Sequence, residues 1–271
     1  MILRKLSMSK INKIFSIDLF HSLLFRSCVV VDRSSVLKIP MRVKCSKSSF
    51  FALGTSKIII EGGKKQKLRN CSIRVSDNSS VIIHKNVRLE NVSINVAGGG
   101  RVEIFEDSMV AGFGNKISWI INNGSFILGH HSRVSHNMWI RYGGTVSVGN
   151  YSCINSGSEI RCDEQIKIGS YNQISFNVSI WDTNTHCIYL TDERRRLTGK
   201  HGIGYEYERP KTKPVFIGDD CWIGKNSSIL KGTIIEDKCI VGYGTTLINV
   251  CIMKNTTVVN NNELKTFKNN I

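Results

Sequence analysis

The sequence predicts an all-β fold in which the chain winds into a parallel β-helix of three-sided coils. Two patterns near the C-terminus predict it, and both have a period of six, which fits neither a helix face nor the alternation of a hairpin. Aliphatic side chains recur at every sixth position: Ile217, Ile223, Ile229, Ile235, Val241, Leu247, Met253 and Val259. Small residues dominate four positions after each: Cys221, Ser227, Thr233, Cys239, Thr245, Cys251 and Thr257. We therefore expect three short strands and three tight corners in each coil, with the aliphatic residues filling the interior.

A third observation extends the coils upstream, where the period becomes 20. Leu128-Gly129, Val148-Gly149 and Ile168-Gly169 begin equivalent coils, and two extra residues before Val148 and before Ile168 lengthen each one. Inside these coils, Ile140, Ile160 and Ile180 are predicted to occupy matching positions. Further back the pattern weakens and persists at Ile83, Ile104 and Ile60, so the coils are expected to run from about residue 55 to 262.

These patterns divide the chain into four predicted regions. Residues 1–54 form an N-terminal cap whose residues 4–26 read as an amphipathic helix, and residues 55–127 form irregular coils. Residues 128–262 form regular coils that extrude a polar, basic loop at 182–216, and residues 263–271 form a tail. A membrane surface or a partner is the second interpretation of the helix, and peripheral membrane association stays open.

The composition limits the chemical class of the partner and the cellular compartment of the protein. Lys and Arg total 37 against 21 Asp and Glu, so the net charge of +16 favours an anionic partner such as a phosphate, a polysaccharide or a membrane face. The nine cysteines contain no Cys-x-x-Cys pair and suit neither zinc nor a disulfide framework, which indicates a reducing compartment. We find neither a signal peptide nor an apolar segment of membrane-spanning length. We predict a cytoplasmic location, with the inner face of the membrane as the alternative.

Two stretches of the sequence carry a family resemblance. PVFIGDDCWIGKNSSILKGTIIEDKCIVGYGTTL, from Pro214 to Leu247, resembles the hexapeptide-repeat acyltransferases, which are left-handed parallel β-helices. ISFNVSIWDTNTHCI, from Ile174 to Ile188, is similar to the catalytic stretch of their sugar O-acetyltransferase branch, which includes bacterial capsule and sialate O-acetyltransferases. The resemblance implies a homotrimer with active sites between subunits and acetyl-CoA as the co-substrate.

The same resemblance assigns roles to individual residues. It implies that His186 is the catalytic histidine and that Trp222 lies near the thioester of acetyl-CoA. Gly224, Gly242 and Gly244 match glycines whose backbone lies along the pantetheine arm, and Lys254 is a candidate partner for the phosphates. Tyr243 stands where the family often has Ala between two glycines, so the coenzyme contact differs at this point.

The residues around His186 support acyl transfer on chemical grounds. Moving an acetyl group from a thioester to a hydroxyl needs a base for the alcohol proton, and a histidine suits that role. Attack can be direct, without an acyl-enzyme or a metal, if backbone N–H groups at a coil corner stabilise the oxyanion. Asp182 is a candidate to orient the imidazole, although a turn-forming aspartate is an equally good interpretation.

Stacking of 20-residue coils predicts an acceptor groove beside His186. It aligns Arg141, Arg161 and Trp181 on rungs roughly 4.8 Å apart, with Tyr142 beside them. Arginines there could pair with a sugar carboxylate, and a solvated basic face is the equal alternative. Arg194, Arg195 and Arg196 in the loop could hold coenzyme A phosphates or a polyanionic acceptor, or could simply be solvated.

Other classes of function remain as alternatives. The nearest is N-acetylation of an amino sugar nucleotide, and a non-catalytic β-helix that binds polysaccharide is the next. His131 and His136 form a His-x4-His pair that would need a third ligand, His84 or His186, so we expect no metal. Without a recognised motif we also expect no nucleic acid partner. The leading interpretation is an acetyl-CoA-dependent O-acetyltransferase that acts on a bacterial surface glycan, with an acidic glycan as the first choice. The acceptors considered are an acidic capsule polysaccharide, a sialic acid and a lipopolysaccharide sugar.

Overall fold

The computed structural model describes residues 27–40 and 43–260, which form a parallel β-solenoid. Each coil contributes one strand to each of three ten-stranded parallel sheets, so every third strand along the chain belongs to the same sheet. The predicted all-β parallel solenoid is confirmed. The predicted helix at residues 4–26 and the tail at 263–271 lie outside the described residues.

The strands are numbered in chain order. The first sheet contains β1 (Cys28–Val31), β4 (Ser49–Ala52), β7 (Ser72–Val75), β10 (Val92–Ala97), β13 (Ile117–Asn122), β16 (Asn137–Ile140), β19 (Glu159–Cys162), β22 (Ser179–Trp181), β25 (Ser228–Leu230) and β28 (Thr246–Ile248). The second sheet contains β2 (Val36–Lys38), β5 (Lys57–Ile60), β8 (Ser80–Ile83), β11 (Arg101–Ile104), β14 (Ser125–Leu128), β17 (Thr145–Val148), β20 (Gln165–Ile168), β23 (Val215–Ile217), β26 (Ile234–Ile235) and β29 (Cys251–Ile252). The third sheet contains β3 (Lys44–Ser46), β6 (Lys67–Arg69), β9 (Arg88–Glu90), β12 (Met109–Ala111), β15 (Arg133–Val134), β18 (Cys153–Ile154), β21 (Gln173–Ile174), β24 (Trp222–Ile223), β27 (Ile240–Val241) and β30 (Thr257–Val258).

The core is a column of aliphatic side chains inside the three sheets. Leu128, Val148, Ile168 and Ile217 pair in register on successive strands of the second sheet, and all four are buried. Since fully burying one such side chain contributes about 1.5–3 kcal/mol, the repeated column is the main source of stability. No helix among the described residues has the length and apolar character needed to cross a membrane.

One corner of the coils is built from stacked glycines. A Cβ atom on Gly149 would lie 2.6 Å from the carbonyl carbon of Gly169, and one on Gly169 would lie 2.7 Å from that of Gly218. Such distances exclude any side chain unless the backbone moves. The glycine that follows each first aliphatic residue therefore permits the coils to stack at this corner.

The coils start earlier than the sequence predicts. The first strand begins at Cys28, so residues 28–52, which the sequence pattern assigns to the cap, already belong to the three sheets. The inserted loop is shorter than predicted, because Val215 and Phe216 pair with Ile166 and Lys167 on the preceding coil. The cap prediction is wrong there because these coils carry Phe, Val and Cys at buried positions in place of a regular isoleucine hexad.

Two registers differ from the predicted spacing. Met138, and not Ile140, pairs with Ile160, because the corner at Ser135 and His136 is two residues shorter than the next one. In the last coil, Ile252 pairs with Ile235 and Val258 with Val241, so the hexad slips by one residue. Since a slip of one residue moves a side chain to the opposite face, Met253, Val259 and Cys251 are exposed and not inward-facing.

A candidate active site at the extruded loop

The loop leaves the solenoid after β22 and returns just before β23. Its two ends lie side by side, because Asn184 N–H donates to the Lys211 carbonyl over 3.0 Å and Lys213 N–H donates to the Asp182 carbonyl over 2.9 Å. Between them the chain forms helix α1 (Thr191–His201), whose Leu197 is buried within the loop. The two backbone hydrogen bonds hold residues 182–186 at a fixed place on the edge of the solenoid.

The His186 ring lies against a carboxylate from the far side of the loop. Its Nδ1 lies 3.1 Å from Oε1 of Glu206, and its side chain is 73% exposed whereas that of Glu206 is 14% exposed. When Nδ1 carries the proton, Nε2 has a free lone pair that can accept a proton from a bound hydroxyl. The sequence does not reveal Glu206, because it lies 20 residues from His186 in an irregular segment.

Three donors hold the Glu206 carboxylate in its charged form. Cys187 N–H donates to Oε2 over 3.1 Å, and Arg194 donates to Oε1 over 3.3 Å. Partial burial works against the charge, but the hydrogen bonds from Cys187, His186 and Arg194 outweigh it and lower the pKa of Glu206. An anionic partner that stays charged at neutral pH would stabilise an imidazolium formed during catalysis.

Arg194 ties the rest of the loop to this pair. Besides Glu206, its guanidinium donates to the Cys187 carbonyl over 2.9 Å and lies 4.8 Å from the centre of the Tyr189 ring. It therefore acts on the same residues that position His186. Arg196 instead pairs with Glu193 within α1, through two contacts of 2.7 Å, and Arg195 is exposed.

Asp182 has a structural role in place of the orienting role considered from the sequence. It is buried, and its carboxylate accepts hydrogen bonds from the backbone N–H groups of Asp163 and Glu164 and from the Cys162 thiol. Burial raises its pKa despite these hydrogen bonds. The imidazole partner is Glu206, and Asp182 fixes the corner from which the loop departs.

Arg141 is also engaged and is not a free groove arginine. Its guanidinium forms a bidentate pair with the buried Asp163 carboxylate, at 2.8 and 2.7 Å, and donates to the Thr185 carbonyl over 3.2 Å. Because Thr185 immediately precedes His186, this arginine anchors the turn that carries the histidine. Arg209 anchors the other end of the loop by donating to the carbonyls of Tyr142 and Asp163, each over 3.0 Å.

The predicted alignment of Arg141, Arg161 and Trp181 on neighbouring coils begins at a different residue in the structure. Trp139 pairs with Arg161 and Arg161 with Trp181, because of the short corner at His136. The Arg161 guanidinium lies 5.7 Å from the Trp139 ring and 4.8 Å from the Trp181 ring, and it contacts Glu159 at 3.1 Å. Tyr142 is exposed, and its ring centre lies 5.0 Å from the guanidinium carbon of Arg141 and 4.9 Å from that of Arg209.

The residues assigned to the acyl donor lie on the later coils. Trp222 on β24 is exposed, and Tyr243 is exposed with its hydroxyl 2.7 Å from Asn226 Nδ2. A Cβ on Gly224 would lie 2.7 Å from the carbonyl carbon of Gly242, so this glycine has a packing requirement of its own. Gly244 has a φ of +65° and faces open space. The Lys254 Nζ lies 3.7 Å from Asp237 Oδ2.

A basic cavity that the sequence does not reveal adjoins the returning end of the loop. It has a volume of about 590 Å³ and is lined by Pro210, Lys211, Thr212, Lys213, Lys231, Ile248 and Asn249. Lys213 Nζ donates to Asn249 Oδ1 over 2.5 Å, which places one ammonium group at the wall. Because the backbone of Lys211 is hydrogen-bonded to that of Asn184, the wall of the cavity adjoins the turn that carries His186. It offers positive charge to an anionic ligand.

The His131 and His136 pair does not have the arrangement of a metal site. His136 is fully buried beside Trp119 and Phe126, and within residues 27–40 and 43–260 neither of its ring nitrogens has a hydrogen-bond partner. His131 stacks on Tyr151 with ring centres 4.8 Å apart. Burial lowers the pKa of His136 to about 3, so it is neutral at pH 7.

Comparison with known proteins agrees with this architecture. Residues 214–249 match the family described as bacterial transferase hexapeptide (six repeats), which confirms the predicted resemblance over this segment. Fold comparison finds the solved structure of the polySia-specific acetyltransferase NeuO, with a TM-score of 0.50, 15% identity and coverage of 89% of this chain and 93% of that one. At this identity the likeness shows the fold alone.

Curated relatives match only a short part of the chain. The 2,3,4,5-tetrahydropyridine-2,6-dicarboxylate N-succinyltransferase of Methylobacillus flagellatus is 36% identical over 64 residues, and that of Thiobacillus denitrificans is 42% identical over 48 residues. These matches cover 24% and 18% of this chain, and 23% and 18% of the relatives' own lengths. They establish similarity over that part of the chain alone.

Proposed function

We propose that the protein transfers an acetyl group from acetyl-CoA to a hydroxyl of an acidic bacterial surface glycan. The observation that carries the proposal is the pair of His186 and Glu206 at the base of the loop, with Nδ1 and Oε1 3.1 Å apart. A histidine oriented by a carboxylate is an arrangement well suited to general-base catalysis of acyl transfer. The hexapeptide-repeat match at residues 214–249 supports the class of reaction.

In the proposed step, Nε2 of His186 takes the proton of the acceptor hydroxyl while the oxygen attacks the thioester carbonyl. Collapse of the tetrahedral intermediate breaks the carbon–sulfur bond, and the imidazolium returns the proton to the departing thiolate. Glu206 remains anionic and stabilises the imidazolium through Nδ1–H. Proton and charge therefore balance without an acyl-enzyme.

The proposed acceptor class follows from charge near the loop. Lys211, Lys213 and Lys231 line the cavity beside the returning chain, and the net charge of the whole chain is +16. Clefts lined by one sign of charge concentrate ligands of the opposite sign. NeuO, which shares the fold, is described as specific for polySia, so a sialic acid polymer is the first acceptor to test.

The proposal also includes a homotrimer in the cytoplasm. Ile120 and Trp139 are exposed apolar side chains on the outer face of the first sheet, where a neighbouring subunit would cover them. All nine cysteines are free, which is compatible with a reducing compartment. Light scattering of the purified protein tests the trimer.

N-acyl transfer is the second candidate function. The observation that favours it is the identity to two N-succinyltransferases, 36% over 64 residues and 42% over 48 residues. The same base would remove a proton from an attacking amine. Amino sugar nucleotides and succinyl-CoA therefore belong in the assay, and a non-catalytic polysaccharide-binding solenoid would release no thiol with any pair of substrates.

The experiment follows thiol release from acetyl-CoA with polysialic acid, with a neutral glycan and without acceptor, and identifies the product by mass. We expect release that depends on the acidic glycan, with an acceptor KM that rises with salt because the Debye length is only about 8 Å at physiological ionic strength. Lys213→Gln and Lys231→Gln should raise that KM, whereas Lys167→Gln on β20 serves as the exposed control. Equal rates on neutral and acidic glycans would contradict the acceptor class.

A further inference from the structure

A cluster of histidine and glutamate side chains lies on earlier coils, away from the loop. Glu61, His84 and Phe105 directly follow β5, β8 and β11, so they occupy the same corner on three successive coils. The backbone confirms the stacking, since Glu61 N–H donates to the Ile83 carbonyl and His84 N–H to the Ile104 carbonyl, each over 2.9 Å. Glu106 follows Phe105 and reaches the same corner.

The His84 ring is fixed on two sides. It stacks on Phe105 with ring centres 4.7 Å apart and planes inclined by 19°, and its side chain is 17% exposed. Its Nε2 lies 2.8 Å from Oε1 of Glu103, which projects from β11. A carboxylate that accepts a hydrogen bond from one imidazole nitrogen orients the ring and increases the basicity of the other nitrogen, as in many metal sites.

The remaining nitrogen faces two further carboxylates. His84 Nδ1 lies 3.2 Å from Glu61 Oε1, and ligand atoms of Glu61, His84 and Glu106 all lie within 4.8 Å of one another. Tetrahedral ligands at roughly 2.0–2.1 Å from Zn²⁺ are about 3.4 Å apart, so side-chain rotations could close the set. Glu106 Oε2 is shielded from solvent and accepts no hydrogen bond from the part of the chain that the structure describes, and His130 Nδ1 lies 2.9 Å from it.

We propose that Glu61, His84 and Glu106 bind a divalent first-row transition ion, for which Zn²⁺ is the test ion. One imidazole nitrogen with two carboxylates suits such an ion better than Ca²⁺ or Mg²⁺, which prefer all-oxygen sites. Binding would replace the proton on His84 Nδ1, which leaves to solvent, while Nε2–H keeps its bond to Glu103. Three carboxylates around His84 already provide the negative charge that the ion needs.

The proposed ion would join three neighbouring coils of the N-terminal half. It would lie several coils before His186, at roughly 4.8 Å for each coil, and so takes no part in acyl transfer. Its effect would be to fasten a region in which the coil length varies from 21 to 24 residues between neighbouring strands of the second sheet.

The experiment titrates chelator-treated full-length protein with ZnCl₂ by calorimetry, alongside Glu61→Gln and Glu106→Gln. Both substitutions keep the side-chain shape, and circular dichroism in chelator checks their folding. We expect one equivalent to bind the native protein, at least tenfold weaker binding in each variant, and a rise in the native unfolding temperature that the variants lack. Glu103→Gln should lose about 10–100-fold in affinity as the orienting partner.

His201→Gln, which changes an exposed histidine of α1, is the control for adventitious surface binding. It should bind Zn²⁺ as the native chain does. Bound Co²⁺ should show the strong visible absorption of a four-coordinate site. No binding at 1:1 stoichiometry, or equal affinity in the native chain and in Glu61→Gln and Glu106→Gln, would overturn the proposal.

Discussion

The wall of the solenoid and the extruded loop place similar side chains in opposite environments. Ile180 on β22 is fully buried, whereas Ile188, eight residues later in the loop, is 89% exposed. The wall is held together by its buried aliphatic side chains, whereas the loop is tied down by hydrogen bonds and an ion pair around Glu206 and Arg194. The wall therefore determines where the loop begins, and the loop supplies the carboxylate that orients His186.

The largest effect is expected at the loop. His186→Ala should lower turnover by ~10²–10⁴-fold, the usual contribution of a general base. Because the side chain is mostly exposed, the unfolding temperature should stay unchanged, and acetyl-CoA binding should survive. Steady-state kinetics measure turnover, and differential scanning fluorimetry of the same preparation measures the unfolding temperature with and without acetyl-CoA. A variant that kept more than about half of the native rate would require another base.

Two isoleucine-to-alanine substitutions compare the contributions of the wall and of the loop to the free energy of unfolding. Ile180→Ala should reduce the free energy of unfolding by about 2–5 kcal/mol, because it opens a cavity in the core. Ile188→Ala removes the same atoms from an exposed position and should change it by less than about 0.5 kcal/mol. Chemical denaturation compares the two, and equal losses would mean that the loop is as tightly packed as the wall.

Alanine substitutions at two glycines should change stability in opposite directions. Gly149→Ala would press a methyl group to within 2.6 Å of the next coil, and we expect a loss of about 1–3 kcal/mol. Gly199 lies in α1, where an added Cβ would have no atom within 4 Å, so Gly199→Ala should gain about 0.5–1 kcal/mol in local helix stability. Thermal unfolding measures the first, and amide exchange within α1 measures the second. A gain at Gly149 or a loss at Gly199 would contradict this difference between wall and loop.

Near pH 7 the smallest effect comes from the buried His136, and it grows as the pH falls. Its pKa is lowered to about 3 in the folded protein, against 6.5 for the exposed group, because burial disfavours the imidazolium. Below pH 6.5 the unfolded chain binds a proton that the folded chain cannot, so stability is full above this pH and falls by up to about 1.4 kcal/mol per pH unit beneath it. His136→Leu should flatten the stability curve between pH 6.5 and 5, and an unchanged curve would contradict this assignment.

The sequence predicts the wall of the solenoid more fully than it predicts the extruded loop. The hexads of Ile217 to Leu247 predict the wall because one side chain per strand must point inward at a fixed spacing. The spacing fails where a corner changes length, at His136 and again before Ile252, since neither corner carries a residue that marks its length.

The candidate site is predictable only in part. His186 can be found because it ends a recognisable stretch, but Glu206 cannot, since no repeat determines how an irregular loop folds back. The predicted register, which is two residues off, assigns Arg141 to the acceptor. In the structure Arg141 instead pairs with Asp163 and supports the turn before His186.

The measurement that tests the central claim most directly is a double-mutant cycle on turnover with His186→Ala, Glu206→Gln and the double variant. If Glu206 acts by orienting His186, Glu206→Gln lowers kcat in the native chain but has no further effect once the histidine is gone. The double variant then equals His186→Ala. If the two losses instead multiply, Glu206 contributes independently of His186 and the account of the pair is wrong.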